Sequence, residues 1–188
     1  MDQVLIVAGF GRCGSSVMMQ MLHAGGLPCF GEGPSFEEDE NLPYSMTEPW
    51  LRQQIGKAVK ILDPHLAPCK FSNVPRCVIW LDRNHREQAK SFVKFGRIVG
   101  GLPFSRRDVG PLAKGLQRDR PLAQRSLGTD QCETLFLTFE NIIRTPLLAA
   151  EAVGEFLQVD CFDTDAAASV VRKRTVDCYK GLLEAELV

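Results

Sequence analysis

The chain has 188 residues, 45% of them hydrophobic and 24% charged, with a formal net charge of −1. That is enough chain for one domain with a real core, and the near-zero charge excludes a global pull toward nucleic acid or membrane, so any anion site must be local. No 18-residue apolar run is present, and the start MDQVLIVAGF lacks the basic stretch of a secretory signal, so neither a membrane span nor a leader is expected and a cytoplasmic location follows.

The first element is the apolar run Val4-Leu5-Ile6-Val7-Ala8, the pattern of a buried strand. Val17, Met18, Met21 and Leu22 then recur with helical period. Between them lies Gly9-Phe10-Gly11-Arg12-Cys13-Gly14-Ser15-Ser16, a glycine loop running into a helix N-terminus. Such a loop cradles anions, because amide hydrogens and the helix dipole point at the same place. Gly9 and Gly14 have the spacing of the nucleotide-binding P-loop, GxxxxGK[ST], which this segment resembles. Ser15 stands where that pattern has Lys, and the cation sits earlier, at Arg12. An Arg there offers a planar fork to an oxyanion with no evident need for a metal. Cys13, beside Arg12 at a helix start, has a setting that can lower a thiol pKa, although loop filler is the better reading of it.

Gly25-Gly26 ends the first helix, and Leu27 to Tyr44 reads as a long loop. Its acidic run Glu37, Glu38, Asp39, Glu40 reads as solvated, while Glu32 lies nearest the glycine loop. Thr47 and Pro49 open a helix over Glu48 to Ile55. Ala58-Val59-Lys60-Ile61-Leu62 is a second short strand, and its Lys60 either faces solvent at an edge or reaches the anion site. Cys77 to Leu81 is a third strand that delivers Arg83 to the sheet's C-terminal edge. A helix beginning near Asn84 places Ser91 about two turns in, eight positions after Arg83, where both can meet one oxyanion. The segment ending at Leu127 reads as helix broken by Pro111 and Pro121. Thr134 to Phe139 is a fourth strand, Glu140 to Ile143 a turn, and Pro146 to Leu157 a helix. The tail carries Arg172, Lys173 and Arg174 and ends in the amphipathic AELV. The seven cysteines (13, 29, 69, 77, 132, 161, 178) form no CxxC pair, and His23, His65 and His85 have no ligand spacing. Free thiols in a reducing compartment and no metal site are expected. Strands alternating with helices and no dividing linker give one α/β domain, residues 1–188, with a mainly parallel central sheet flanked by helices.

In their order, three segments resemble the sulfotransferases that use 3′-phosphoadenosine 5′-phosphosulfate (PAPS). Gly11-Arg12-Cys13-Gly14-Ser15-Ser16 is similar to that family's 5′-phosphosulfate loop. Leu81 through Ser91 resembles its 3′-phosphate motif, an Arg after a strand with a Ser eight positions on. Thr138-Phe139-Glu140-Asn141-Ile142-Ile143-Arg144-Thr145-Pro146, with Phe156-Leu157, looks like its structural YEDL…P…FL segment. The resemblance implies a P-loop NTPase-like fold and PAPS as co-substrate, with 3′,5′-ADP as product and no metal. It implies that Gly11, Arg12, Cys13, Gly14, Ser15 and Ser16 hold the phosphosulfate and that Arg83 and Ser91 hold the 3′-phosphate. Arg12 and Lys60 would act on the transferring group. Cytosolic members place a general-base His two residues beyond the strand Lys, where this chain has Leu62. Other branches use a Glu after the loop, a role Glu32 fits, with His65 and Asp63 as fallbacks, and the acidic loop also offers Glu37 and Glu38. The acceptor would be a small molecule or carbohydrate, and the chain's length implies few acceptor-binding insertions. Two rivals stand beside this reading: a P-loop kinase, for which Asp82 at a strand end is the candidate Mg²⁺ ligand, and a non-catalytic nucleotide-binding module. For the adenine, Trp50, Trp80 and Phe136 qualify by residue type, the last two reading better as core.

Overall fold

The structure, a computed structural model, describes residues 1–36, 46–67, 70–98, 100–159 and 161–172. Strand β1 (Val4–Gly9) is buried along its whole length, as a strand covered on both faces must be. It lies between β2 (Ala58–Leu62) and β3 (Arg76–Asp82), and β4 (Thr134–Thr138) flanks β3, giving the order β2-β1-β3-β4. Every neighbouring pair is parallel. In register, Gly9 lies opposite Leu62 and Leu81, and Leu81 opposite Leu137. The chain therefore leaves all four strands at one level and on one edge.

Alternation along the strands divides the core into two layers. Leu5, Val7, Ile79 and Leu81 face α1 (Ser15–Ala24), which contributes Met18, Met19, Met21 and Leu22. The same layer includes α6 (Pro146–Leu157), which touches β4, and α7 (Thr164–Ser169), which packs on both α1 and α6, with Ala150, Val153 and Ala167 fully buried. On the other face, Val4, Ile6, Ala8, Val78 and Trp80 pack with Leu51 of α2 (Glu48–Arg52) and with Ala123 and Leu127 of α4 (Val109–Leu127). Helix α3 (His85–Ile98) follows β3, and α5 (Phe139–Arg144) follows β4. Among the described residues no helix is long and apolar enough to cross a membrane.

Several boundaries differ from the sequence expectation. Helix α4 runs unbroken through both prolines. Pro111 falls in the first turn, where amides have no intrahelical partner; Pro121 gives up one internal bond on a helix anchored by the fully buried Ala123 and Leu127. Residues Phe139–Arg144 form a helix rather than a turn, because the Thr138 hydroxyl accepts from the Asn141 amide at 3.2 Å and caps it. Helix α2 stops at Arg52, three residues before the expected Ile55, and the chain turns to Gly56 at φ 89°. Glu37, Glu38, Asp39, Glu40, Lys173, Arg174 and the terminal AELV lie outside the described residues.

Candidate functional site

The loop between β1 and α1 carries two residues in the left-handed region, Arg12 (φ 70°) and Gly14 (φ 98°). Glycine is required at 14 twice over, since a Cβ there would also sit 2.4 Å from Cδ2 of Phe139. The Cys13 amide donates to the Phe10 carbonyl at 3.1 Å and closes the turn. Gln88 of α3, almost wholly buried, donates its side-chain amide to the carbonyls of Phe10 (3.2 Å) and Gly11 (2.9 Å). No side chain caps α1, so the positive end of its dipole opens on this loop.

Three cations gather at this edge. Arg83, just past β3, donates Nη1 to the Arg12 carbonyl at 2.8 Å and lies 4.4 Å above the Phe139 ring. Arg12 extends Nε to the Ser91 hydroxyl at 3.4 Å, its guanidinium 4.6 Å above the Phe95 ring. Lys60 is buried (6% exposed) on edge strand β2 and donates to the Ser16 hydroxyl at 3.4 Å and to the Ser35 carbonyl. Of the two sequence alternatives for Lys60, the inward one is what is observed. Arg12, Ser16, Lys60, Arg83 and Ser91 are thus joined around one loop. Phe139, Phe95 and Gln88 complete the arrangement without having been singled out from the sequence. Their signal was positional: Phe139 follows a strand end, and Gln88 and Phe95 lie on the same helix as Ser91.

Other expected residues sit differently. The Cys13 thiol is wholly buried in the core, and burial pushes its pKa up to about 11, the reverse of the lowering expected at a helix start. Ser15 is also turned inward, beside that thiol, leaving Ser16 as the hydroxyl toward Lys60. Glu32 is exposed and lines a cleft with His23, Leu27 and Phe36, at the C-terminal end of α1. Eight helical residues, about 12 Å, separate His23 from the Ser15 end of that helix. His65, in the short 3₁₀ turn Pro64–Leu66, packs edge-on against Phe10 with ring centroids 5.6 Å apart. Its Nδ1 is buried without a hydrogen-bond partner among the described residues.

Among the described residues, a carboxylate that reaches the loop is Asp63. It is the residue immediately after β2, held at φ 50° with its amide donating to the Gly9 carbonyl at 3.0 Å. Burial raises its pKa, opposed by His65 and by the Gly11 amide that donates to it. Asp82 is committed elsewhere: its Oδ1 lies 2.5 Å from Arg120 Nη2 and accepts the Arg83 amide at 2.8 Å. A carboxylate so engaged is poorly placed to serve as a kinase metal ligand. Trp80 is core, as its pattern implied, but Phe136 is 56% exposed on β4. Trp50 is half-buried against Phe30, with centroids 5.1 Å apart.

No protein-family profile and no curated protein matches this sequence. Solved structures do match its fold. Mouse sulfotransferase SULT7A1, determined in complex with PAP, superposes at a TM-score of 0.56 with 13% identity, over 91% of this chain and 63% of the mouse protein. A sulfotransferase from Alicyclobacillus acidocaldarius superposes at 0.54 with 14% identity, over 95% of this chain and 88% of its own length. A parallel sheet whose first strand runs through a glycine loop into a helix defines the P-loop type of α/β protein. More narrowly, the chain has the fold of the PAPS-dependent sulfotransferases.

Proposed function

We propose that the protein is a PAPS-dependent sulfotransferase acting on a hydroxyl or amine of a small-molecule or carbohydrate acceptor. The observation that carries this reading is the joining of Arg83 and Ser91 to Arg12, one through its carbonyl and the other through its guanidinium. PAPS is anionic at both ends of its adenosine. A loop cradle linked to a second Arg–Ser pair suits such a ligand better than it suits a nucleotide with one polyphosphate tail. The neighbour solved with PAP is consistent with this assignment.

In the proposed reaction the acceptor oxygen or nitrogen forms a bond to sulfur in line with the departing 5′-phosphate oxygen, whose bond to sulfur breaks. The products are the sulfated acceptor and 3′,5′-ADP. The first-turn amides of α1, with Ser16, hold the 5′-phosphate, and Arg83 and Ser91 hold the 3′-phosphate. Arg12 and Lys60 stabilise charge on the sulfuryl and leaving oxygens, a kind of contribution worth about 2.7–4 kcal/mol per donor. The acceptor proton passes to Asp63, which accepts from the Gly11 amide of the loop, with His65 beside it. On this reading Asp63, rather than the exposed Glu32, is taken as the base.

The test is a thermal-shift comparison of 3′,5′-ADP with ATP plus Mg²⁺, followed by transfer of radiolabelled sulfate from PAPS to an acceptor panel. A ligand at 100 times its dissociation constant adds about 2.7 kcal/mol of stability. Stabilisation by 3′,5′-ADP and label transfer that disappears in Arg12→Ala are expected. Stabilisation by ATP alone overturns the assignment, and 3′,5′-ADP binding without transfer to any acceptor leaves a binding module.

A further inference from the structure

Charge along this chain is segregated. Residues 82–125 hold eleven Lys and Arg against four Asp and Glu, a net +7, and the remainder carries −8 to give the overall −1. The cationic segment is the α3–α4 layer together with the turn between them. On α3, Arg86, Lys90, Lys94 and Arg97 recur at i, i+4, i+8 and i+11, which confines them to about 80° of the helix circumference. Lys94 forms the edge of that stripe nearest Ser91 around the helix. Beyond α3 the chain folds back, with the Leu102 amide on the Gly96 carbonyl at 2.8 Å and Phe104 against Phe92 at 5.9 Å. This return brings Arg106 and Arg107 alongside α3.

Local acids do not neutralise the surface. Glu87 pairs with Lys90 and Asp119 with Arg118, both at 2.7 Å, Asp82 pairs with Arg120, and Asp108 is spent capping Ser105. Arg86, Arg97, Arg106, Arg107 and Lys114 are exposed and have no ion-pair partner among the described residues. Exposed cations of this kind raise the local concentration of an anionic partner.

We infer that this surface docks the acceptor itself and that the acceptor is an acidic polysaccharide, a polymer carrying carboxylates along a chain of hydroxyls. The inference rests on the sulfotransferase reading above. It is favoured over single-stranded nucleic acid because the aromatic rings of the layer are already committed, Phe95 beneath Arg12 and Phe92 to Phe104, leaving no platform for bases. It is favoured over duplex DNA and a lipid surface because the stripe shares α3 with Ser91, the hydroxyl that meets Arg12 at the proposed transfer site. A polymer lying along it brings hydroxyls to the edge of the transfer site.

The experiment measures binding of hyaluronan oligosaccharides, with neutral dextran oligosaccharides of matched length, duplex DNA and anionic vesicles as the other arms. It compares the full chain with the triple variant Arg86→Gln/Arg97→Gln/Arg107→Gln. Hyaluronan is expected to bind, to weaken about tenfold in the variant, and to lose part of its salt dependence, since three exposed ionic contacts are removed. In sulfate transfer, the variant's KM for the glycan rises by a similar factor while kcat stays within about twofold. No hyaluronan binding, equal binding by the variant, equal binding of dextran, or tighter binding of DNA or vesicles overturns the proposal. Affinity for 3′,5′-ADP is measured in parallel; its absence from the unsubstituted chain sinks the sulfotransferase reading, whatever the glycan does.

Discussion

Arg83 and Arg12, 71 residues apart in sequence, meet through a 2.8 Å hydrogen bond from one guanidinium to the other's backbone carbonyl. The contact fixes the loop residue's main chain with the side chain of the next strand over. It also stations two cations at one place, an arrangement that favours an anion between or beside them. Arg83→Ala is expected to lower 3′,5′-ADP affinity by about 10–100-fold, the loss of a charged hydrogen-bonding partner. Arg83→Lys restores little of it, because an ammonium keeps the charge but not the planar fork or the stacking on Phe139. Titration calorimetry of the three proteins settles the point; equal affinities would remove Arg83 from the nucleotide site.

Gln88 holds the loop from beneath through the carbonyls of Phe10 and Gly11. Gln88→Leu keeps most of the volume and strands two acceptors. Urea denaturation is expected to show a loss of about 1–3 kcal/mol, together with weaker 3′,5′-ADP binding because the loop loses its support. A stable variant with normal nucleotide affinity would show that the loop is rigid without this side chain.

At Gly14 two penalties coincide, a positive φ and a ring 2.4 Å from where a Cβ would lie. Gly14→Ala should destabilise by roughly 1–3 kcal/mol and abolish nucleotide binding. Combining it with Phe139→Ala opens the space but leaves φ unchanged. The double variant is therefore expected to recover part of the stability of the single one relative to Phe139→Ala alone, and a double-mutant cycle reads the coupling. A zero coupling would mean that the ring moves aside freely.

Asp63 links stability to pH in an unusual direction for a carboxylate. Burial raises its pKa, so the folded chain holds this proton more tightly than the unfolded chain does. The group's contribution is most favourable below the unfolded value of about 3.9. It falls as pH rises through the folded value, and the full cost of burying the charge is present at neutral pH. Asp63→Asn should therefore raise Tm at pH 7, with the gain vanishing toward pH 3.5. Sulfate transfer should fall by about 10²–10⁴-fold if Asp63 is the base. Retained transfer at a raised Tm would assign Asp63 a structural role and return attention to His65.

What could be read from sequence followed from how local the cause was. β1 and β2 were legible because buried runs of Val, Ile and Leu with a glycine stop have one good solution, and Ala58–Leu62 fell where its apolar pattern ended. Arg12, Arg83 and Ser91 were legible as types at a spacing. Their junction was not, because it depends on β3 lying beside β1. The inward turn of Cys13 was hidden for the same reason. Its apparent electropositive setting at a helix start is outweighed by a core that only the packed helices create. Phe139 looked like the last residue of a strand, and the Thr138 cap converts it into the first of a helix, under Arg83. Glu32 was chosen for nearness along the chain, whereas Asp63 reaches the loop because β2 runs parallel to β1 and ends level with Gly9.

That shared level has a consequence for the order in which the molecule can be made. Leu5 pairs with Ala58 on one side and with Cys77 on the other, and Ile79 with Leu135, separations of 53, 72 and 56 residues. A central strand with no near-sequence partner gains nothing until distant segments arrive, which puts the chain among slow, high-contact-order folders. During synthesis the glycine loop emerges ahead of the residues that complete it, its bracket at Arg83, its floor at Gln88 and its lid at Phe139, in that order. A nascent chain ending before β3 carries the phosphate motif without the Arg83 and Ser91 that complete its site.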